Sequence, residues 1–239
     1  MSNGQEKIAI VTGGSRGIGR GVAEALLGEG WKVWICSRDP QEAVGEMSGR
    51  FAGRIEGRPV DVRSQDQVDA FVKEILDAES RIDLLVNNAG LGRFGPVDEL
   101  TGDQWREVLE TNLNGPFYFL RAVAPAMKRQ GAGWILNIAS LAAKNPFAGC
   151  AAYNASKFGL LGMSEAAMLD LRQHGIRIAA IMPGSVATDF GDSGGGRHAQ
   201  AHWKLQPSDI ASMVLHLLSY PDHALPSRVE MRPSQPPSK

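Results

Sequence analysis

The chain is poor in the groups that stabilise small secreted or metal-dependent proteins. Cys36 and Cys150 are its two cysteines in 239 residues, and they form no C-x-x-C, which argues against a disulfide framework or a zinc site. The five histidines make no H-E-x-x-H and no other metal-ligand spacing, so no metal is expected. There is no long basic run, and the net charge is −1, which removes the electrostatic footprint of a nucleic-acid binder. No stretch approaches the roughly 18 apolar residues of a membrane span. The N-terminus "MSNGQEKIAI" lacks the apolar region of a signal peptide. A reducing cytoplasm is the expected compartment.

What remains is an ordinary globular composition, 43% hydrophobic and 21% charged, long enough to bury a sizeable core. "KIAIVT" (7–12) is a short β-rich run ending at a glycine cluster. Ile18, Val22, Ala25 and Leu26 then recur at helical spacing up to Gly28 and Gly30. "KVWICS" (32–37) reads as a second buried strand, followed by Asp39-Pro40 as N-cap and first helical position. A third strand lies in "IEGRPVDV". Ser64-Gln65-Asp66-Gln67 is a capping-box pattern for an amphipathic helix to about Ala78. "IDLLVN" (82–87) is a further strand. Thr101-Gly102-Asp103-Gln104 is a second capping box, for a long helix to about Gln130 that Pro116 and Pro125 should bend. "GWILNIAS" is a strand, 153–173 a helix closed by Gly175, and "IRIAAIM" another strand.

Alternation of this kind, with strands apolar on both faces, predicts an α/β fold: a doubly wound Rossmann-type parallel sheet with helices on each face. No repeat or linker divides residues 1–239, so one domain is expected, with irregular chain at 190–204 and a disordered tail at 232–239.

Two local features carry chemistry. "VTGGSRGIG" sits at the first strand-to-helix turn, where such folds bind phosphate. Gly13 and Gly14 permit a tight turn, Gly17 lets the backbone approach a pyrophosphate, and Gly19 allows close helix–sheet packing; the helix N-terminus adds unpaired N–H groups. The spacing is neither G-x-G-x-x-G nor that of a Walker loop. The second feature is "CAAYNASKFG" (150–159), which sets Tyr153 and Lys157 one helical turn apart. Free tyrosine and lysine titrate near about 10 and 10.4; a fixed ammonium would favour phenolate and draw the tyrosine towards working pH.

T-G-x-x-x-G-x-G at 12–19, N-N-A-G at 87–90, Asn112 in "TNLNG", Ser140 ahead of Tyr153, Y-x-x-x-K and "PGSVAT" at 183–188 occur together and in order. In these motifs the chain resembles the short-chain dehydrogenase/reductase family from about residue 7 to 220. The resemblance implies that Tyr153 is the general acid/base, that Lys157 lowers its pKa and binds the nicotinamide ribose, and that Ser140 holds the substrate oxygen. It also implies that Asn112 interrupts its helix and holds a water behind Lys157. Gly13, Ser15, Arg16, Gly17, Ile18 and Gly19 would surround the pyrophosphate, and Asp61 and Val62 would contact adenine. Asn88, Ala89 and Gly90 would pass the adenosine ribose, with Asn87 bracing the sheet. Pro183, Gly184, Val186 and Thr188 would frame the nicotinamide.

Coenzyme choice follows from the end of the second strand, where an NAD-binding protein usually places an acid on the ribose 2′-hydroxyl. Here Cys36-Ser37-Arg38 puts Ser37 in that place, with Arg38 next and Arg16 in the glycine loop. Two guanidiniums suit a 2′-phosphate, so NADP(H) is the expected cofactor, and Asp39 is read as a helix cap rather than as the acid. The expected reaction is interconversion of a carbonyl and an alcohol. The chain ends "SRVEMRPSQPPSK" rather than in the strand and Gly-Gly segment of many 3-oxoacyl-[acyl-carrier-protein] reductases, and it resembles the family's small hydroxy-acid and generic carbonyl reductases more closely. That reductase activity stays the alternative, ahead of a nucleotide-sugar epimerase or dehydratase and of a non-catalytic dinucleotide sensor. Specificity is expected in the 91–97 and 190–204 loops. Ala122, Ala126, Gly159, Gly162, Ala166 and Ala167 suggest a second apolar face on the helices at 101–130 and 153–173 and, with the resemblance, a homotetramer or homodimer.

Overall fold

The computed structural model describes residues 6–190 and 202–237. Most of the 190–204 segment, and the last two residues of the expected tail, lie outside them. Seven strands form one sheet in the order β3-β2-β1-β4-β5-β6-β7, and all pairs are parallel. They are β1 (Ile8–Thr12), β2 (Lys32–Ser37), β3 (Ile55–Pro59), β4 (Leu84–Asn87), β5 (Gly133–Ile138), β6 (Ile176–Pro183) and β7 (Arg228–Met231). The helices between them are α1 (Gly17–Gly28), α2 (Gln41–Ser48), α3 (Gln65–Glu79), α4 (Gly102–Leu109), α5 (Gly115–Gln130), α6 (Ala151–Leu171) and α7 (Pro207–Leu218).

The two-residue period of β-structure sorts the strand side chains into two cores. Ala9 and Val11, Val33 and Ile35, Leu84 and Val86 point to the face covered by α1, α2 and α7. Ile8 and Ile10, Trp34 and Cys36, and Leu85 point to the face covered by α3 and α5. Both sets are almost wholly buried, which is why these strands read as continuous apolar runs. Each fully buried Leu or Ile contributes about 1.5–3 kcal/mol.

Several helix boundaries differ from expectation. Pro40, not Asp39, is the N-cap of α2, and no side chain caps it; the carbonyl of Pro40 accepts the first helical bond, from Val44. Asp39 is left exposed, one residue outside the helix. At α3 only half of the capping box forms. Ser64 accepts from the Gln67 N–H, but the Gln67 side chain accepts from the N–H of Asp61 at 2.9 Å. At α4 the box is complete. The long helix expected at 101–130 is broken by one π-helical turn, Glu110–Asn114, after which Pro116 falls in the first turn of α5. That is a position where its missing N–H costs nothing. Pro125 alone stands inside the helix. α7 and β7 have no counterpart in the sequence reading; β7 pairs with β6 and extends the sheet past the expected last strand.

Candidate active site

Strand order reverses between β1 and β4, and in such sheets the crevice beyond the carboxyl ends of the strands at that point receives ligands. A cleft of about 960 Å³ opens there, within the range of small-molecule sites. Every residue named above for catalysis or cofactor binding lines it except Gly19 and Asn112.

The glycine loop makes one wall. Gly13 and Gly17 have φ of +64° and +55°, values that favour glycine, and the Gly13 N–H donates to the carbonyl of Cys36 across the β1–β2 gap. Gly19 sits behind the wall: a Cβ there would lie 2.3 Å from the Gly13 carbonyl oxygen and 2.4 Å from Asn88 Nδ2. Arg16 is the exposed N-cap of α1 and its side chain caps nothing, so the first-turn N–H groups face the cleft with no acidic residue among them. That is the chemistry of an anion site.

Beyond β2, Ser37 Oγ is buried and has no hydrogen-bond partner, an uncommon condition for a buried polar atom. Arg38 and Asp39 are exposed beside it. Asp61 is gripped by Arg63, whose Nε lies 2.9 and 3.0 Å from the two carboxylate oxygens. The Arg63 guanidinium, with a smaller contribution from Arg38, holds the Asp61 carboxyl below its ordinary range. Cys36 lies under this end; burial pushes its thiol up to about 12, and it stays neutral.

The β4 end is braced by a residue the sequence reading did not single out. Thr12 Oγ1 accepts from the N–H groups of Asn88 and Ala89, both at 3.0 Å. Asn88 Nδ2 returns bonds to the carbonyls of Thr12 and Gly13. Asn87 braces the sheet as expected, donating to Asn137 Oδ1 at 2.8 Å, and Asn137 in turn donates to Ser164 of α6.

At the β5–α6 end, Ser140 Oγ accepts from the Ala142 N–H at 3.1 Å, and Asn154 holds the same turn by donating to the Ala142 carbonyl at 2.7 Å. Tyr153 is buried between Phe94 and Phe190, with ring centroids 5.8 and 5.7 Å away. Lys157 is buried too; its Nζ donates to the Ile138 carbonyl at 2.9 Å and lies 5.8 Å from the centre of the Tyr153 ring. Here the electrostatic expectation is corrected. Burial raises the Tyr153 pKa, with Ser140 pulling it down and the Cys150 thiol raising it further, and Lys157 is not among the causes. Lys157 itself is lowered to about 8 by burial. A low-dielectric site penalises both charged forms, and burial is the largest cause of each shift.

Asn112 lies in the π-helical turn, wholly buried behind the cleft. Its Nδ2 donates to the Leu91 carbonyl and to Ser156 Oγ, and its Oδ1 accepts from the Leu91 N–H. The side chain therefore ties the loop after β4 to α6. Arg63, Glu107 and Asp189 were also missed, whereas Leu91 and Phe94 lie inside the 91–97 loop already singled out for specificity. Among the described residues no group of three or more His, Cys, Asp or Glu could hold a metal, and no helix is long and apolar enough to cross a membrane.

Comparison with known proteins agrees with this geometry. The family model described as short chain dehydrogenase matches residues 7–195. An uncharacterised oxidoreductase of Staphylococcus saprophyticus is 33% identical, over 96% of this chain and 98% of that one. A putative ketoacyl reductase of Streptomyces coelicolor is 34% identical, over 91% and 92%. Among solved structures, a metagenomic short-chain oxidoreductase in complex with NADP is 36% identical, with a TM-score of 0.84 over 98% of this chain and all of that one. An alcohol dehydrogenase of Thermococcus sibiricus complexed with 5-hydroxy-NADP is 28% identical, with a TM-score of 0.89 over the same shares.

Proposed function

The chain belongs to the short-chain dehydrogenase family, and from that premise we propose that it is an NADP(H)-dependent oxidoreductase that interconverts a carbonyl and an alcohol, with Tyr153 as acid and base. One observation carries the reading. A single cleft joins the glycine loop and Ser37-Arg38 at one end to Ser140, Tyr153 and Lys157 at the other.

The buried, unpartnered Ser37 Oγ and the bare first turn of α1 fit a dinucleotide. When bound, the nicotinamide supplies the hydride chemistry. Gly13, Ser15, Arg16, Gly17 and Ile18 would hold the pyrophosphate, and Asp61 and Val62 the adenine. Asn88, Ala89 and Gly90 would pass the ribose, and Pro183, Gly184, Val186 and Thr188 would frame the ring. Tyr153 gives a proton to the carbonyl oxygen during reduction and takes one from the hydroxyl during oxidation. Its raised pKa keeps it a phenol at neutral pH, the form that reduction needs. Ser140 holds the substrate oxygen, Lys157 binds the ribose hydroxyls, and Asn112 acts at one remove by positioning the Leu91 loop and α6.

Ser37, Arg38 and Arg16 favour a 2′-phosphate. A second reading, NAD(H), is supported by Asp39, which lines the cleft and caps no helix. A 3-oxoacyl thioester remains within the substrate class, in line with the ketoacyl reductase among the relatives. Mixing the protein with NADPH and a panel of ketones, quinones and short acyl thioesters tests the proposal. Loss of nicotinamide absorbance with stoichiometric alcohol is expected, and binding without oxidation across the panel would refute it.

The protein is further proposed to assemble as a homodimer or homotetramer through α5 and α6. Phe117, Phe158 and Leu169 point outward there, and Gly162 and Ala166 are exposed, whereas Ala126 is buried within its own chain. Burying such a face against a second copy removes it from water.

A further inference from the structure

The two phenylalanines beside Tyr153 are not explained by packing. Phe94 comes from the loop after β4 and Phe190 from the segment after β6, and each is 45% exposed. Neither belongs to the hydrophobic clusters that hold the sheet and helices together. Both meet the Tyr153 ring obliquely, at interplanar angles of 64° and 55°, within the range of favourable aromatic pairs. Phe94 is also accommodated by its own loop. A Cβ on Gly92 would fall 2.4 Å from the far carbon of the Phe94 ring, so the ring lies against bare backbone that only glycine provides.

Of the described charges lining the cleft, Lys157 is buried beside Tyr153, Arg16, Arg38 and Asp39 stand at the far end, and the others are of mixed sign. Asp61 is paired with Arg63, and Glu107 with Arg93. Asp189 and Lys204, on the wall that Phe190 shares, carry opposite signs. Among the described residues, the exposed side chains packed on the Tyr153 ring are therefore aromatic.

We infer that the exposed parts of Phe94 and Phe190, which flank Tyr153, together clamp an aromatic substituent of the substrate, so that the preferred substrates are carbonyl compounds bearing an aryl ring. The inference rests on the carbonyl–alcohol reading and adds the substrate class to it. Aromatic pairing gives a preference beyond the area buried, so an aryl substrate should be favoured over a ring-saturated analogue of the same carbon skeleton by roughly tenfold.

Benzylacetone and its ring-saturated cyclohexyl analogue test this, because two methylenes insulate each carbonyl from its ring and leave its electrophilicity the same. With NADPH, the ratio of kcat/KM for the two ketones should favour benzylacetone by about tenfold. Phe94→Leu and Phe190→Leu should each reduce that ratio by about threefold, and the double variant should bring it near one. Gly92→Ala, which pushes the Phe94 ring from its seat, should act in the same direction as Phe94→Leu. A wild-type ratio near one, or a ratio unmoved in the double variant, overturns the clamp. If neither ketone is reduced, ligand-observed NMR with NADP+ present separates the two readings. Tighter binding of benzylacetone that is lost in the double variant keeps the clamp while the reductase reading falls. Equal binding of the two ketones overturns the clamp itself.

Discussion

At the β2–β3 end of the cleft, Arg38 and Asp39 stand in water and Asp61 is neutralised by Arg63; at the β5–α6 end, Tyr153 and Lys157 are buried under aromatic and aliphatic side chains. The first end can use charge to choose between ligands, because exposed charges are hydrated and their pairing costs little. The second uses burial to set protonation states, because removing water penalises every charged form. On the proposed function, recognition of a phosphate and transfer of a proton would thus occur in two different dielectric environments. Substitutions at the two ends should differ in kind as well as in size.

The largest effect is expected at the buried end. Tyr153→Phe keeps the ring between Phe94 and Phe190 and removes the proton donor, so kcat should fall by roughly 10²–10⁴ with cofactor affinity retained. Steady-state kinetics on the true substrate checks this, and near-normal turnover would break the contrast between the two ends.

Lys157→Met separates function from stability at the same end. Lowering a lysine from 10.5 to about 8 corresponds to a penalty on the order of 3 kcal/mol for burying the ammonium. Below about pH 8 the lysine is charged in both folded and unfolded chains, so the penalty is complete. Between about 8 and 10.5 the folded protein holds fewer protons than the unfolded, so stability rises with pH as the penalty disappears. Lys157→Met should therefore be the more stable protein in urea denaturation at pH 7, less the lost bond to Ile138, and that advantage should vanish by pH 11. Activity and coenzyme affinity should fall. A Lys157→Met variant less stable than wild type at pH 7 would mean the ammonium is well compensated.

At the exposed end the effects are smaller and selective. Arg38→Ala should weaken NADPH by roughly ten- to a hundredfold, the range of a charge-assisted hydrogen bond, while changing NADH little. Fluorescence titration of both coenzymes reads this, and tighter NADH binding by the wild type would transfer the coenzyme assignment to Asp39. Smallest of all, salt near 1 M, where the screening length is about 3 Å, should shrink the NADPH advantage severalfold. The same salt should leave the pH–rate profile set by Tyr153 and Lys157 in place, since buried groups are poorly screened.

What could be read in advance depended on the range of the interaction. The Thr101 capping box formed in full because both of its bonds lie within four residues. The Ser64 box formed by half, because the Gln67 side chain bonds the N–H of Asp61, six residues back, in place of that of Ser64, three back. Asn137, Asn154 and Ser156 carried no local signal, and Thr12 showed only as the first residue of the glycine-loop motif, since each acts on a partner brought to it by the sheet or by α6. The π-helical turn was foreseen only through the family resemblance, as an interruption at Asn112, and not from helical spacing. Asn112 in that turn is held by Leu91 on a separate loop, and helical spacing alone reads straight through it.

By itself the sequence determined the alternation of buried strands and helices, the glycine loop after the first strand and the order of the family's motifs, because each is written in residues close along the chain. Periodicity, glycine placement and one-turn spacing are local properties. Only the tertiary structure decided that Tyr153 is raised and Lys157 lowered, that Asp39 caps nothing, and that Phe94 and Phe190 meet over the same tyrosine. Those outcomes depend on how much water is excluded and on which loops converge, and both are set by contacts between residues far apart in the chain.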